Sequence, residues 1–324
     1  RAGSSVIHAL LDDGQGALWV GTGQGLNRLD LGRETLRRLA MPPSPPGVPL
    51  VVSGLAPAGP GRLWVGLPDG LYLLRLDGER FERWPAPAPL APAGRVRRLL
   101  PDGQGGVWAA YDREVIRVAA DGRLLAWAHT RDGHGAARQP AAALLPRALA
   151  LGARRRLWVG LSGGVQVWRP APQQPGGLAP VTDAALDALP RGAVYDLLRD
   201  TQDRIWIAST GAGGLARWSE DQGLQRFEHQ PAVTGSPADN ALASLMLDRS
   251  GTLWAGTWGR GISLADLNQG GFSHYNAVPG DPASLSHSAV LAVLMDGPDH
   301  AWVGTYGGGL NRLRSVVHTL VDND

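Results

Sequence analysis

Short apolar runs recur along the whole chain, and each is closed by Gly, Asp, Pro or Ser. Runs of this kind, bounded by turn formers, predict β-strands. No stretch sustains a 3.6-residue apolar period, so little helix is expected. Residues 141–151 (AAALLPRALAL) come nearest to one, and Pro146 interrupts them.

The runs group into seven units, each with a tryptophan in one context. These are Trp19 (LWVGT), Trp64 (LWVGL), Trp108 (VWAAY), Trp158 (LWVGL), Trp206 (IWIAS), Trp254 (LWAGT) and Trp302 (AWVGT), spaced 44 to 50 residues apart. Six residues before the Trp stands Asp13, Asp102, Asp200, Asp248 or Asp296, with Ala58 and Gly152 in units two and four. Two residues after it the side chain is always small: Gly21, Gly66, Ala110, Gly160, Ala208, Gly256 and Gly304. In unit six the pattern predicts strands at about 241–247, 253–257 and 262–267, and near 272–275.

Four strands in a repeat of this length predict a β-propeller blade. One four-stranded sheet cannot bury both faces, whereas radial packing of seven can. The fold expected is therefore all-β, a single seven-bladed β-propeller of four-stranded antiparallel blades over residues 1–324. The repeated Trp is expected to pack between neighbouring blades, the small residue to leave room for its ring, and the Asp to hold the first turn through backbone N–H groups. The chain should begin near an innermost strand and end near 316–321 in an outermost one. Each blade then comes from one contiguous unit; residues 1–5 paired to blade seven would contradict this.

Composition narrows the chemistry. The 324 residues include no Cys, and all 31 basic residues are Arg. This excludes thiol catalysis, Cys-ligated metals, disulfides, a Walker A lysine and a lysine Schiff base. The formal net charge of +2 gives no footprint for nucleic acid. No apolar run approaches the ~20 residues of a membrane helix, so no direct membrane insertion is expected. The first residue is Arg1 rather than Met, as in a piece of a longer protein or a processed form.

The unit pattern resembles the two-component regulator propeller repeat. DDGQGALWVGTGQGLNRLD, DRSGTLWAGTWGRGISLAD and DGPDHAWVGTYGGGLNRLR match it best, and units two, three and four are degenerate. The resemblance implies a periplasmic or extracytoplasmic sensor region of a hybrid histidine kinase or diguanylate cyclase. It also implies an adjacent propeller or β-sandwich of the same chain as a neighbour.

Propeller geometry sorts the loops onto faces. The loop between first and second strands is short in every unit. The second-to-third bend and the blade-to-blade connection share the opposite face, which carries the insertions at 41–50, 85–95, 129–144, 170–193, 230–239 and 277–286. Long loops on a rigid scaffold carry binding residues. A small-molecule or oligosaccharide ligand is therefore expected on this loop-rich face and at the channel mouth. Trp258 and Tyr306, in adjacent blades, are candidates to stack on a sugar ring or a base, with Arg260 as a charged donor. Tyr111 lies in the equivalent bend of unit three, with Gln24, Asp69, Asp112 and Arg113 as further bend residues. Ser5, Tyr195, Asn240 and Ser288 fall at the starts of innermost strands.

Other motifs carry less. Residues 160–164 match G-x-S-x-G, but the repeat explains the glycines, so Ser162 is not expected to be catalytic. His129 and His134 lack a third nearby ligand, and no metal or cofactor is expected. Arg154, Arg155 and Arg156 are expected to be a solvated turn, and Asp200, Asp203, Asp296 and Asp299 turn formers. The leading function is thus a non-catalytic sensor module. The alternatives are an enzyme resembling the seven-bladed streptogramin lyases, which need magnesium and a His base near the channel, and an interaction scaffold, although the Trp-Asp signature of WD repeats is missing.

Overall fold

The structure is a computed structural model. It describes residues 6–314 except 45, 88–93, 131–144, 172–173, 175, 212, 234, 268–270 and 297–299. The runs form antiparallel blades in which consecutive strands pair in chain order. Blade one, for instance, comprises Ile7–Asp12, Ala17–Thr22, Gly25–Asp30 and Thr35–Arg38. Six blades have four strands, and the seventh has three among the described residues; the strand expected near 316–321 lies outside them. The innermost strands are Ile7–Asp12, Gly54–Pro57, Arg98–Pro101, Pro146–Leu151, Val194–Arg199, Leu242–Leu247 and Val290–Met295. Each touches the next, and the last returns to the first, so the blades close into the seven-membered ring. Among the described residues helix is limited to two short 3-10 turns, Ala153–Arg155 and Ala184–Leu186. The helix-like stretch near Pro146 is an innermost strand, with Pro146 as its first residue, where a missing N–H is tolerated.

Seven apolar clusters fill the seven seams between blades, and each contains one repeat tryptophan. Trp206 of blade five, for instance, packs with Leu242, Leu245 and Leu253 of blade six. Trp302 of blade seven packs with Ile7, Leu18 and Val20 of blade one and closes the ring. A tryptophan buries about 200 Å², worth up to about 5 kcal/mol at ~25 cal/mol/Å². The indoles therefore dominate the seams.

The six-residue Asp–Trp spacing has a double purpose. In blade five, Asp200 Oδ1 accepts the N–H groups of Gln202 and Arg204 at 2.9 and 3.0 Å and fixes the turn. Asp200 Oδ2 accepts the indole N–H of Trp206 at 2.8 Å. The same indole bond joins Trp19 to Asp13, Trp254 to Asp248 and Trp302 to Asp296 at 2.9–3.1 Å. Where Ala58 replaces the Asp, the Trp64 indole donates instead to the Gly105 carbonyl of the next blade.

The small residue after the Trp has a different task from the one expected. A Cβ on Gly66 would lie 2.6 Å from Val96 Cγ1 of the next blade, and one on Gly160 equally close to Val194 Cγ1. Gly21, Gly256 and Gly304 likewise face Val52, Val290 and Ile7 of the following blade. The space is therefore kept for the neighbouring blade's β-branched side chain rather than for the indole. In the two blades with alanine, Ala110 and Ala208, the corresponding residues of the next unit are Pro146 and Leu242, neither of which is β-branched.

Candidate functional site

Because strands alternate direction, the second-to-third bends and the blade-to-blade connections do share one face. On that side the innermost strands of blades one, four, five, six and seven carry a register shift near their starts. The residues inside the shift are His8, Arg147, Tyr195, Ala243 and Leu291, each eleven positions before its Trp. A bulge re-aims its side chain. Arg147 places its guanidinium 5.0 Å from the Tyr195 ring centre. Tyr195 in turn meets Trp258 edge-on, with ring centres 5.2 Å apart and planes at 73°. Blades four, five and six thus contribute one continuous Arg147–Tyr195–Trp258 cluster. The Arg147 Nε and Trp258 Nε1 atoms are both buried, with no hydrogen-bond partner among the described residues.

One residue further along each innermost strand is a column of small side chains: Ala9, Gly54, Ala148, Ser244 and Ala292. Two blades break it, with Arg98 and Asp196. These two meet across the bore at 2.7 Å. Asp196 also accepts the N–H of Leu197 at 3.0 Å and that of Leu245, in blade six, at 2.9 Å. The carboxylate is thereby held by three blades. Burial pushes its pKa up, against the pull of Arg98 and the two backbone donors. A cavity of about 140 Å³ surrounds the pair, lined also by His8, Ser53 and Ser244. Burial lowers the His8 pKa, and the charge of Arg95 lowers it further.

The candidates from the sequence are placed as follows. Trp258 and Tyr195 come together. Tyr306 stands apart, 53% exposed, and the ring contact of Trp258 is with Tyr195 rather than with Tyr306. Arg260 is exposed in the bend of blade six, where its backbone N–H donates to Thr257 Oγ1. Asn240 Oδ1 accepts the His229 N–H at 2.7 Å, and Ser288 Oγ accepts the Ala277 N–H at 3.3 Å. Both side chains anchor the incoming connection. Ser288 also borders an open groove of about 760 Å³ between blades six and seven, with Gly259, Val278, His287 and Asn311. Tyr111 is buried at 2% exposure in the seam cluster of blades two and three, and burial raises its pKa. It occupies the position held by Thr22, Ser209, Thr257 and Thr305, which are all buried, so its side chain belongs to the core rather than to the loop surface. Ser5 and His134 lie outside the described residues.

The other motifs have structural partners. Ser162 Oγ accepts the Leu145 N–H at 3.0 Å. Arg154 and Arg156 both pair with Glu220 of blade five, at 2.8 and 3.2 Å. Arg98, Asp196, Arg147 and His8 escaped the sequence reading. The signal was present: aligned on the Trp, the columns ten and eleven positions upstream are small or mixed, and a charged pair in the former stands out.

Residues 2–24, the first part of blade one, match the family model described as two component regulator propeller. No curated protein matches the chain by sequence. Among solved structures, the extracellular domain of the hybrid two component system BT3049 from B. thetaiotaomicron is 18% identical with a TM-score of 0.71; the match covers 96% of this chain and 40% of that one. This chain thus spans well under half the length of that relative. Virginiamycin B lyase from Staphylococcus aureus is 13% identical with a TM-score of 0.69, covering 97% of both chains. YCF48 bound to D1 peptide is 14% identical with a TM-score of 0.64, covering 97% of this chain and 93% of that one. At these identities the likeness is one of fold, which a sensor, an enzyme and a peptide binder share.

Proposed function

We propose that this chain, which carries the two-component regulator propeller repeat, is a non-catalytic ligand-binding input module of a transmembrane bacterial signalling protein. The observation that carries the reading is the cluster at the channel mouth. Arg147, Tyr195 and Trp258 come from three blades, lie on the loop-bearing face and leave two buried donors without partners among the described residues. Aromatic faces with a fixed cation suit ligand binding. The ion pair of Arg98 and Asp196 lies across the bore. In this reading the module is extracytoplasmic, its ligand is a small molecule or oligosaccharide, and its neighbour is a second propeller or a β-sandwich of the same chain. The described residues include no helix long and apolar enough to cross a membrane. The test is a thermal-shift screen of oligosaccharides and small metabolites. A true ligand at one hundred times its Kd stabilises by about 2.7 kcal/mol. Trp258→Ala should abolish the shift; Tyr306→Ala shows whether the exposed ring takes part. A screen in which no compound raises the melting temperature removes the reading.

A lyase activity is the second reading, favoured by one observation: His8 lines the axial cavity beside Asp196, where a base would be needed. Incubation with a streptogramin B and magnesium, followed by mass spectrometry, decides it. Ring opening that is lost in His8→Ala would establish the enzyme.

A further inference from the structure

The entries to the innermost strands of blades three and four are rich in arginine. Four stand there, on the side of the channel mouth: Arg95, Arg97 and Arg98 from blade three and Arg147 from blade four. Arg97 is neutralised by Asp112, and Arg98 by Asp196. Arg95 and Arg147 have no carboxylate within ion-pair distance among the described residues. We propose that this mouth binds a carboxylate carried on an apolar ring, with Arg147 as the charged donor, Tyr195 and Trp258 as the shelf for the ring, and Arg95 as the second cation. The inference rests on the ligand-binding reading above and names the chemical class of the ligand.

The geometry supports each part. A guanidinium stacked on an aromatic ring uses its flat face, which leaves its N–H edge able to grip a carboxylate with two parallel bonds. The Arg147 guanidinium lies 5.0 Å from the Tyr195 ring centre, and its buried Nε has no hydrogen-bond partner among the described residues. Trp258 Nε1 is likewise buried without a partner among the described residues, on a ring that meets the same tyrosine edge-on. A buried donor left unpaired is costly, and an acceptor on the ligand removes that cost. Arg95 is exposed just before the innermost strand Arg98–Pro101, on the side where that strand begins.

The probes are benzoate, its neutral isostere benzamide, and inorganic phosphate, which has the charge without the ring. The full chain is labelled with 5-fluorotryptophan, and the Trp258 resonance is assigned by its loss in Trp258→Phe. Benzoate should move that resonance saturably while benzamide and phosphate leave it in place. Arg147→Gln should weaken benzoate about tenfold or more, as expected for a lost charge-assisted bond. Arg147→Lys should retain part of the affinity, and Arg95→Gln, at an exposed position, should weaken it less. The remaining fluorotryptophan resonances report whether each variant is folded. Benzamide binding as well as benzoate, or unchanged benzoate affinity in Arg147→Gln, overturns the carboxylate inference and leaves a neutral-ligand sensor standing. Phosphate equal to benzoate overturns the role of the ring. No response to any probe overturns the inference as a whole, and the thermal-shift screen then decides whether the site takes a ligand of another class.

Discussion

Gly66→Ala tests the rule that spaces the blades. The new methyl would lie 2.6 Å from Val96 Cγ1 and 3.2 Å from Val96 Cβ and Ser53 Oγ. Carbon atoms prefer about 3.5–4.0 Å, so blades two and three must separate by roughly an ångström, or Val96 must leave its rotamer. Overpacking of this kind costs about 1–3 kcal/mol. Gly66 has no positive φ, so backbone strain adds nothing. The loss of chain freedom in the unfolded state offsets about 0.4–1 kcal/mol. A net loss of about 1–2 kcal/mol is expected. Urea unfolding should show it as a lower midpoint at unchanged slope. Val96→Ala alone leaves a cavity and should cost on the order of 2 kcal/mol. Combined, the two should cost less than their sum by about 1 kcal/mol, since the added methyl fills the space vacated. Strict additivity would refute the claim that the glycine keeps room for the next blade's branched residue.

Four further outcomes follow from the polar contacts of the blades. Asp200→Ala should cost about 3 kcal/mol in urea unfolding, because it frees a turn, an indole and the Arg204 charge together. Burial would raise Asp200 and Asp248, but hydrogen bonds from Trp206 and Arg204, and from Ser250 and Trp254, outweigh it and hold both below the ordinary carboxylate range. Their stabilisation is therefore complete above about pH 4 and lost as the pH falls through the depressed values; the unfolding midpoint of Asp200→Ala should fall less steeply in that window. His8, depressed by burial and then by Arg95, works the same way at higher pH. Below about pH 6.5 the unfolded chain takes up a proton that the folded one resists, so stability should drop with acid, and His8→Gln should flatten that part of the urea-midpoint profile. Removing Arg98 alone should cost about 3 kcal/mol by stranding a buried carboxylate, whereas Arg98→Ala with Asp196→Ala should come within about 1 kcal/mol of the parent in urea titrations. The double variant copies the residue already present at Ala9, Ala148 and Ala292.

The fold was legible because its signal repeats seven times. A single LWVGT run is ambiguous, but seven in register define blades, ring and seams together. The turn role of the Asp was also legible, since a carboxylate before a Gly-containing turn has few other partners. Its bond to the indole was not, because it depends on how two turns fold back. The site was harder to see. Trp258 and Tyr306 share a repeat position, which suggested a pair, yet the bulge in blade five brings Tyr195 to Trp258 first. Tyr111 is bulky and polar, but its column is the buried hydroxyl position of four other blades. Columns aligned on the Trp would have shown both that burial and the charged interruption at Arg98 and Asp196.

That interruption sets a charged crossbar in a bore that the other five blades line with small side chains. Asp196, gripped at once by Arg98 and by the Leu245 amide, works as a rivet: the innermost strands of blades three, five and six cannot shift independently without breaking one of its bonds.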